Sequence, residues 1–229
     1  MTKTLYNKVA ISIIGCLFMV LGGFVTQGWA LPVLELTDDF NKTTITIVDN
    51  GSGDLNPTDG IISWMGTIAG WDFSMTMGSS YPATGGADKP ELHLTVGNIS
   101  TSGAGTVSFK FYNTFYAWNP ALSGLYSGYG GSVANGMTVE VQTYLDDALM
   151  GDFGPSTGAF SGSSTSLITP KDTNKYTITI DGSISSTGVG QSGSFDVTVA
   201  PVPEPATILL FGTGLIGLAG FARKKVKKS

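Results

Sequence analysis

The side chains that could catalyse a reaction are few and scattered along this sequence. His93 is the only histidine and Cys16 is the only cysteine. A hydrolase of the Ser-His-Asp type would have to use His93 as its base, but no nucleophile-elbow pattern accompanies it. Cys16 lies inside an apolar N-terminal stretch, so the chain beyond that stretch has no thiolate nucleophile and no disulfide. We therefore predict that the protein is not an enzyme.

One acidic loop carries the oxygen donors of a calcium site. Asp54, Asn56 and Asp59 place three side-chain oxygens beside Gly60, and Ca²⁺ binds oxygen ligands of this kind. The spacing is one residue longer than in an EF-hand loop, and no glutamate follows. An Asx-rich turn between strands explains the same residues without a metal. We expect no cofactor and keep the three residues only as a calcium candidate.

Aromatic side chains are concentrated between residues 109 and 129. Large aromatic rings fill the cores of β-sandwiches, and ring faces on a surface stack on sugars. Core positions are predicted for Phe109 and Phe111. Both a core position and contact with carbohydrate stay open for four further residues near Pro120 and several glycines, namely Tyr116, Trp118, Tyr126 and Tyr129.

The elements that must position these residues are predicted to be strands. Residues 31–200 are rich in Gly, Ser and Thr and nearly free of amphipathic helical patterns. Alternating or β-branched runs predict eight strands, at 43–48, 61–68, 71–77, 91–99, 106–112, 137–144, 176–180 and 194–199. Ala69-Gly70 predicts a two-residue hairpin. Residues 154–166 are interpreted as a long loop, and residues 183–194 as a hairpin tip or a flexible lead-in to the last strand.

The fold class that follows is all-β. Short strands with two-faced patterning favour an antiparallel β-sandwich, jelly-roll-like or Ig-like, with an apolar helix at each end of the chain. The predicted organisation is a signal peptide at 1–30, a β-sandwich domain at 31–200 and a C-terminal segment at 201–229.

Charge is distributed unevenly along the chain. Residues 31–200 contain five basic and sixteen acidic residues, a net charge of −11. An acidic surface of this kind repels phosphate backbones, so we expect no nucleic acid among the partners. It is typical of a solvated surface that keeps an exported protein soluble.

The N-terminus has the pattern of a secretory signal peptide. Two lysines precede an apolar run from Val9 to Val25, and small residues lie next to Ala30. We predict export by the Sec machinery and cleavage by signal peptidase after Ala30. Two alternatives stay open: an uncleaved membrane helix, because the run is long, and lipidation at Cys16, which ends a lipobox-like sequence.

The C-terminus consists of three ordered parts. Val202-Pro203-Glu204-Pro205 precedes an apolar stretch from Ile208 to Ala222, and a basic cluster beginning Arg223-Lys224-Lys225 follows. The prolines favour an extended, exposed spacer. The apolar stretch is barely long enough to span a bilayer, and the basic cluster stays in the cytoplasm by the positive-inside rule.

These three parts resemble a PEP-CTERM sorting signal. The resemblance implies recognition by exosortase, an inner-membrane cysteine protease of Gram-negative bacteria that also make exopolysaccharide. Val202, Pro203, Glu204 and Pro205 would then be the sorting motif, Ile208 to Ala222 the transient inner-membrane span, and Arg223, Lys224 and Lys225 the basic stop. A plain single-pass anchor is the alternative that the residues alone allow.

Three functions from different classes are therefore compared below. The preferred one is an exported, non-catalytic protein of the cell surface or extracellular matrix, processed by exosortase and associated with exopolysaccharide in a biofilm. The second is a secreted carbohydrate-binding module that uses the four aromatic residues near Pro120. The third is a secreted hydrolase, which would need clustered carboxylates in a cleft.

Overall fold

The computed structural model describes residues 31–115 and 117–202, and these residues form a β-sandwich of twelve strands. The strands are β1 (Val33–Asp38), β2 (Thr44–Val48), β3 (Ile61–Ile68), β4 (Trp71–Ser80), β5 (Leu92–Thr101), β6 (Gly105–Phe115), β7 (Leu125–Val133), β8 (Met137–Leu145), β9 (Ala148–Ser156), β10 (Gly158–Ser166), β11 (Tyr176–Ser186) and β12 (Ser192–Pro201). Within these ranges no helix is long and apolar enough to cross a membrane. The predicted signal peptide, the two terminal helices and the basic cluster lie outside the described residues.

Two six-stranded antiparallel sheets make up the sandwich. Sheet A has the order β2-β1-β6-β11-β8-β9, and sheet B has the order β10-β7-β12-β5-β4-β3. From β5 onward the pairing is nested: β5 pairs with β12, β6 with β11, β7 with β10 and β8 with β9. This nested pairing is that of a jelly roll, which β1–β2 and β3–β4 extend at one side of each sheet.

Eight of the observed strands coincide with predicted ones. These are β2, β3, β4, β5, β6, β8, β11 and β12. The hairpin at Ala69-Gly70 is confirmed, since both residues have the positive φ angles, 49° and 80°, that a tight turn between β3 and β4 requires. The interpretation of residues 183–194 as a hairpin tip is wrong, because β11 continues to Ser186 in sheet A and β12 begins at Ser192 in sheet B. The short segment between them crosses from one sheet to the other.

The prediction of a long loop at 154–166 is wrong. β9 extends to Ser156, and β10 then pairs with β7 in continuous register from Gly158 to Ser166. The small side chains of this segment give no hydrophobic period, which is why the sequence pattern favoured a loop. The strand is defined instead by its pairing with β7 and by the rings of Tyr129 and Phe153, which pack over Gly162.

The core lies between the sheets and follows the alternation of each strand. In β5, Leu92 and Leu94 are fully buried, while His93 points to the outer face of sheet B. Phe109 and Phe111 are buried as predicted. Each such side chain contributes about 1.5 to 3 kcal/mol through the apolar surface it removes from water.

Candidate functional site

A groove on the outer face of sheet B is the candidate site. It has a volume of about 540 Å³. Three neighbouring strands build it: β10, β7 and β12. The lining residues are Tyr126, Gly128, Tyr129, Gly130, Ser161, Gly162, Ser163, Asp196 and Thr198.

Tyr126 is the exposed aromatic side chain of the groove. It alternates with the buried Leu125 and Ser127 and is itself 40% exposed. Its ring lies along the strand over Gly128, because a Cβ at that position would stand only 2.7 Å from the Tyr126 hydroxyl oxygen. Gly128 therefore lets the aromatic face lie flat on the sheet.

Tyr129 turns its ring to the face of β7 opposite Tyr126, where it packs in the core between the sheets. Its ring stacks between Phe153, at 4.7 Å between centroids, and Phe160, at 5.0 Å. Its hydroxyl group is hydrogen-bonded to the hydroxyl of Ser156. With 8% of its surface exposed, Tyr129 presents little ring face to a ligand.

Polar groups lie on both sides of Tyr126. Ser161 and Ser163 are exposed on β10, which borders β7. On β12, Asp196 and Thr198 alternate with buried apolar residues and therefore point outward. The groove thus combines one aromatic face with hydroxyl groups and a single carboxylate, which is the composition suited to a neutral polyol such as a sugar.

Asp196 adjoins the single histidine. Its Oδ2 atom lies 3.6 Å from Nε2 of His93 on the next strand, and its side chain is about half exposed. The carboxylate keeps acceptor capacity toward the groove, because this contact is long for a hydrogen bond. The expected position of His93 on the polar face of its strand is confirmed.

For four aromatic residues the sequence left open whether they lie in the core or contact carbohydrate, and the structure does not place them together. Tyr126 and Tyr129 line the groove. Trp118 is 7% exposed and packs edge-on against Tyr176, with centroids 5.3 Å apart, so it belongs to the core and not to the groove. Tyr116 lies outside the described residues.

The polar side of the groove is not among the site residues predicted from the sequence. Ser161 and Ser163 fell in the segment interpreted as a loop. Asp196 and Thr198 carried a usable signal, because they alternate with Phe195 and Val197 in a predicted strand. No pattern in the sequence, however, places β12 beside β7.

The acidic loop before β3 uses its side-chain oxygens on the backbone. Oδ1 of Asp54 accepts hydrogen bonds from the N–H groups of Asn56 and Ser63, and Oδ2 accepts one from Asn50. Oδ1 of Asn56 accepts the N–H of Thr58. The bonds to residues two positions ahead are Asx turns, the alternative that the sequence analysis gave. Across residues 31–115 and 117–202, no group of three or more His, Cys, Asp or Glu side chains could hold a metal ion.

The C-terminal segment begins where the fold ends. The ladder between β7 and β12 continues one residue past Pro201, since the N–H of Val202 donates to the carbonyl of Gly124 at 3.0 Å. The Ser123 hydroxyl donates to the carbonyl of Val202 at 3.3 Å. Val202 is thus both the last residue tied to the sandwich and the first of the predicted sorting motif, whose other residues lie outside the described part.

Solved structures with some likeness to the chain have low scores. TmCBM61 in complex with beta-1,4-galactotriose is 11% identical with a TM-score of 0.32, covering 60% of this chain and 92% of that chain. A carbohydrate-binding module, TmCBM27, from a study of specific mannan recognition, is 12% identical with a TM-score of 0.27, covering 59% and 90%. A beta-glucosidase from Kluyveromyces marxianus in complex with glucose is 10% identical with a TM-score of 0.28 and covers 69% of this chain, but the match spans only 15% of that enzyme. At these values the likenesses do not bear on the ligand of this chain.

The sequence itself matches one family model. No curated protein matches the chain. The model described as the PEP-CTERM protein-sorting motif matches residues 201–224. This match begins at the last residue of β12 and includes Val202 to Pro205 and the apolar stretch that follows. The chain therefore carries a PEP-CTERM protein-sorting motif directly after its β-sandwich.

Proposed function

We propose that this protein is exported, held briefly in the inner membrane by its C-terminal segment, processed by exosortase and released to the cell surface or extracellular matrix. The observation that carries the proposal is the sorting-motif match at residues 201–224. A signal peptide at residues 1–30 delivers the sandwich to the outside, and the span from Ile208 to Ala222 keeps it at the membrane until cleavage. The cysteine protease in this scheme is the exosortase, and this chain is its substrate.

The junction at Val202 supports processing close to the folded domain. Val202 is tied by hydrogen bonds to the segment before β7, so the motif follows the sandwich without a long linker. Pro203 and Pro205 cannot extend the ladder of β12, because proline has no N–H to donate. The two prolines favour an extended tripeptide, and such a segment next to a stable domain would suit recognition by a membrane-embedded protease.

The intact mass of the protein from medium and from membranes tests this proposal. In a host with exosortase, we expect the protein in the medium to lack both residues 1–30 and the residues after the motif. Deleting the exosortase should leave the full tail attached and the protein in the membrane fraction. Replacing Glu204 with Ala should reproduce the deletion, whereas Lys228→Ala, outside the motif, should not. An intact tail on protein from the medium would contradict the proposal.

The released domain is proposed to be non-catalytic. Glycoside hydrolysis requires two carboxyl groups that flank the scissile bond, and Asp196 is the single carboxylate among the residues lining the groove. His93, whose Nε2 atom lies 3.6 Å from Oδ2 of Asp196, is on the same open sheet face. This arrangement favours binding over bond cleavage.

A second candidate function, carbohydrate binding by the released sandwich, is favoured by the groove. The face of Tyr126 supplies a stacking platform, and Ser161, Ser163 and Thr198 surround it with hydroxyl groups. A sugar ring on Tyr126 would bring its own hydroxyl groups to the carboxylate of Asp196. Because the domain has a net charge of −11, a neutral polysaccharide is the class of ligand proposed.

Binding to purified exopolysaccharide of the host, measured by affinity electrophoresis, tests this second function. Loss of the stacking platform in Tyr126→Ala should weaken binding roughly fivefold or more. Phe40→Ala is the matched control, because Phe40 is 90% exposed in the turn between β1 and β2 on the other sheet. Equal retardation of both variants, or no retardation of the wild-type protein, would exclude the groove as the binding site.

A further inference from the structure

In the part of the chain that the structure describes, the outer edge of β10 lacks the protection that the other three sheet edges have. The two sheets end in four edge strands: β2 and β9 in sheet A, and β3 and β10 in sheet B. Edge strands expose unpaired N–H and C=O groups that can pair with another chain, and proteins prevent this with short strands, bulges, charges, prolines or covering loops.

The edge of β3 is covered by the acidic loop. The N–H of Ser63 donates to Oδ1 of Asp54 at 2.9 Å, and the carbonyl of Ser63 accepts the N–H of Leu55 at 2.8 Å. A register shift between Trp64 and Gly66 distorts the strand further. Both backbone polar groups of Ser63 are thus paired within the chain.

The two edges of sheet A are protected in other ways. β9 has two register shifts against β8 and carries Asp152 and Pro155. The carbonyl of Met150 in β9 also accepts a hydrogen bond from the Ser164 hydroxyl at 3.0 Å. β2 has only five residues.

Among residues 31–115 and 117–202, none of these devices protects β10. It pairs with β7 over nine residues without a register shift. Its sequence, from Gly158 to Ser166, contains no charged residue and no proline. It is therefore a long, regular and neutral edge on a domain that is otherwise strongly acidic.

The direction of the free backbone groups follows from the neighbouring ladder. Two hydrogen bonds at the ends of the β7–β12 ladder fix its pattern: the N–H of Ala134 donates to the carbonyl of Ser192, and the N–H of Val202 donates to the carbonyl of Gly124. Both bonds involve even-numbered residues on the β7 side, so the even-numbered residues of β7 exchange hydrogen bonds with β12. Odd-numbered residues of β7 must then bond to β10, where they face Gly158, Phe160, Gly162, Ser164 and Ser166. The N–H and C=O groups of the alternate residues point away from the sheet; these residues are Ala159, Ser161, Ser163 and Thr165.

We propose that β10 pairs antiparallel with β10 of a second copy of this chain, joining two copies of sheet B into one sheet. A second copy is the fitting partner because it offers the same neutral edge, and an edge without charges is where two acidic domains can approach with the least repulsion. Ser161 and Ser163 line the groove, so the pairing would place two grooves side by side across the new contact. A long polymer could then contact both copies and be bound with higher avidity.

Sedimentation velocity over a range of protein concentrations tests the pairing, with the exported protein recovered from its host. The wild-type protein should sediment as a dimer. The double variant Ala159→Lys, Thr165→Lys should raise the dimer dissociation constant roughly tenfold or more, because like charges would lie opposite each other. The control Thr44→Lys, Thr46→Lys adds the same charge to exposed positions of β2 and should leave the dimer intact.

A cross-linking experiment gives an answer that does not depend on loss of association. The only cysteine of the chain is Cys16, within the predicted signal peptide, so an introduced cysteine is the sole thiol after cleavage. Ser163→Cys should form a covalent dimer with a short bismaleimide, and Thr46→Cys should not. The proposal would be overturned by a wild-type protein that is monomeric at all concentrations, by a β10 variant that still dimerises fully, or by cross-linking of the Thr46→Cys variant alone.

Discussion

The hydroxyl of Ser127 on β7 lies 2.8 Å from the hydroxyl of Thr143 on β8, and this hydrogen bond joins the two sheets inside the core. Both side chains are fully buried. Each hydroxyl is therefore removed from water and depends on the other for a partner. Losing one partner should cost more than losing both, because a single remaining hydroxyl is left buried without a hydrogen bond.

A double-mutant cycle on this pair is the first prediction. Thr143→Val keeps the volume but leaves Ser127 unpartnered, and we expect a loss of about 1 to 3 kcal/mol in the free energy of unfolding. Adding Ser127→Ala should lower stability by much less than the single change at 127 does in the wild-type protein. Urea unfolding of the four proteins measures the coupling, and strictly additive losses would show that the bond contributes nothing.

The second prediction concerns Gly182, which lies under a ring of the core. A Cβ at this position would stand 2.6 Å from Cζ of Phe109 and 2.2 Å from the carbonyl oxygen of Glu140. Since one contact is to backbone, the site cannot relax cheaply, and Gly182→Ala should cost about 1 to 3 kcal/mol. Gly154→Ala is the control because a Cβ there meets open space. Equal unfolding midpoints for the two variants would contradict the packing described.

The third prediction concerns the loop that covers β3. Asp54→Ala removes the acceptor of three backbone N–H groups, including that of the edge residue Ser63. We expect a loss of about 1 to 3 kcal/mol in urea unfolding, together with faster amide exchange at Ser63. Asp59→Ala removes only one exposed bond, from the Asn50 side chain, and should cost less. If amide exchange at Ser63 is unchanged by Asp54→Ala, the loop does not protect this edge.

Strands with large apolar side chains could be predicted from the sequence, and strands of small residues could not. In β5, the pattern Leu92-His93-Leu94 shows directly which face is buried. In β10 the only large side chain is Phe160, and in β7 three glycines interrupt the alternation. These strands form because their neighbours pair with them and place rings over their glycines, which are long-range contacts that local patterns do not contain.

The candidate site was predicted only in its aromatic part. Tyr126 and Tyr129 were identified from composition, whereas the core position of Trp118 depends on Tyr176, far along the chain. The carboxylate of Asp196 and the hydroxyls of β10 join Tyr126 only through the nested order of sheet B. A sequence shows which residues a strand turns outward, but topology decides which strands stand together.

The fourth prediction is a pH dependence that arises from Asp49. Its side chain is 1% exposed, and its Oδ2 atom accepts the N–H of Gly60 at 2.8 Å. Burial is the main cause that raises the pKa of Asp49, and the nearby carboxylates of Asp54 and Asp59 raise it further, against the hydrogen bond from Gly60. The folded protein therefore binds a proton here more tightly than the unfolded chain does.

The sign of the effect follows from this proton linkage. An acid with a raised pKa in the folded state makes the fold less stable as pH rises from the ordinary aspartate value through the raised one. Asp49→Asn keeps an oxygen acceptor for Gly60 and removes the buried charge, so it should stabilise the protein at pH 7 and have little effect near pH 4. Urea unfolding of both proteins across this range is the measurement, with the exposed Asp72→Asn as a control for lost charge. The free energy of unfolding gained by Asp49→Asn should be larger at pH 7 than at pH 4. A gain that is the same at both pH values, or that shrinks as pH rises, would mean that the charged carboxylate of Asp49 does not destabilise the folded state.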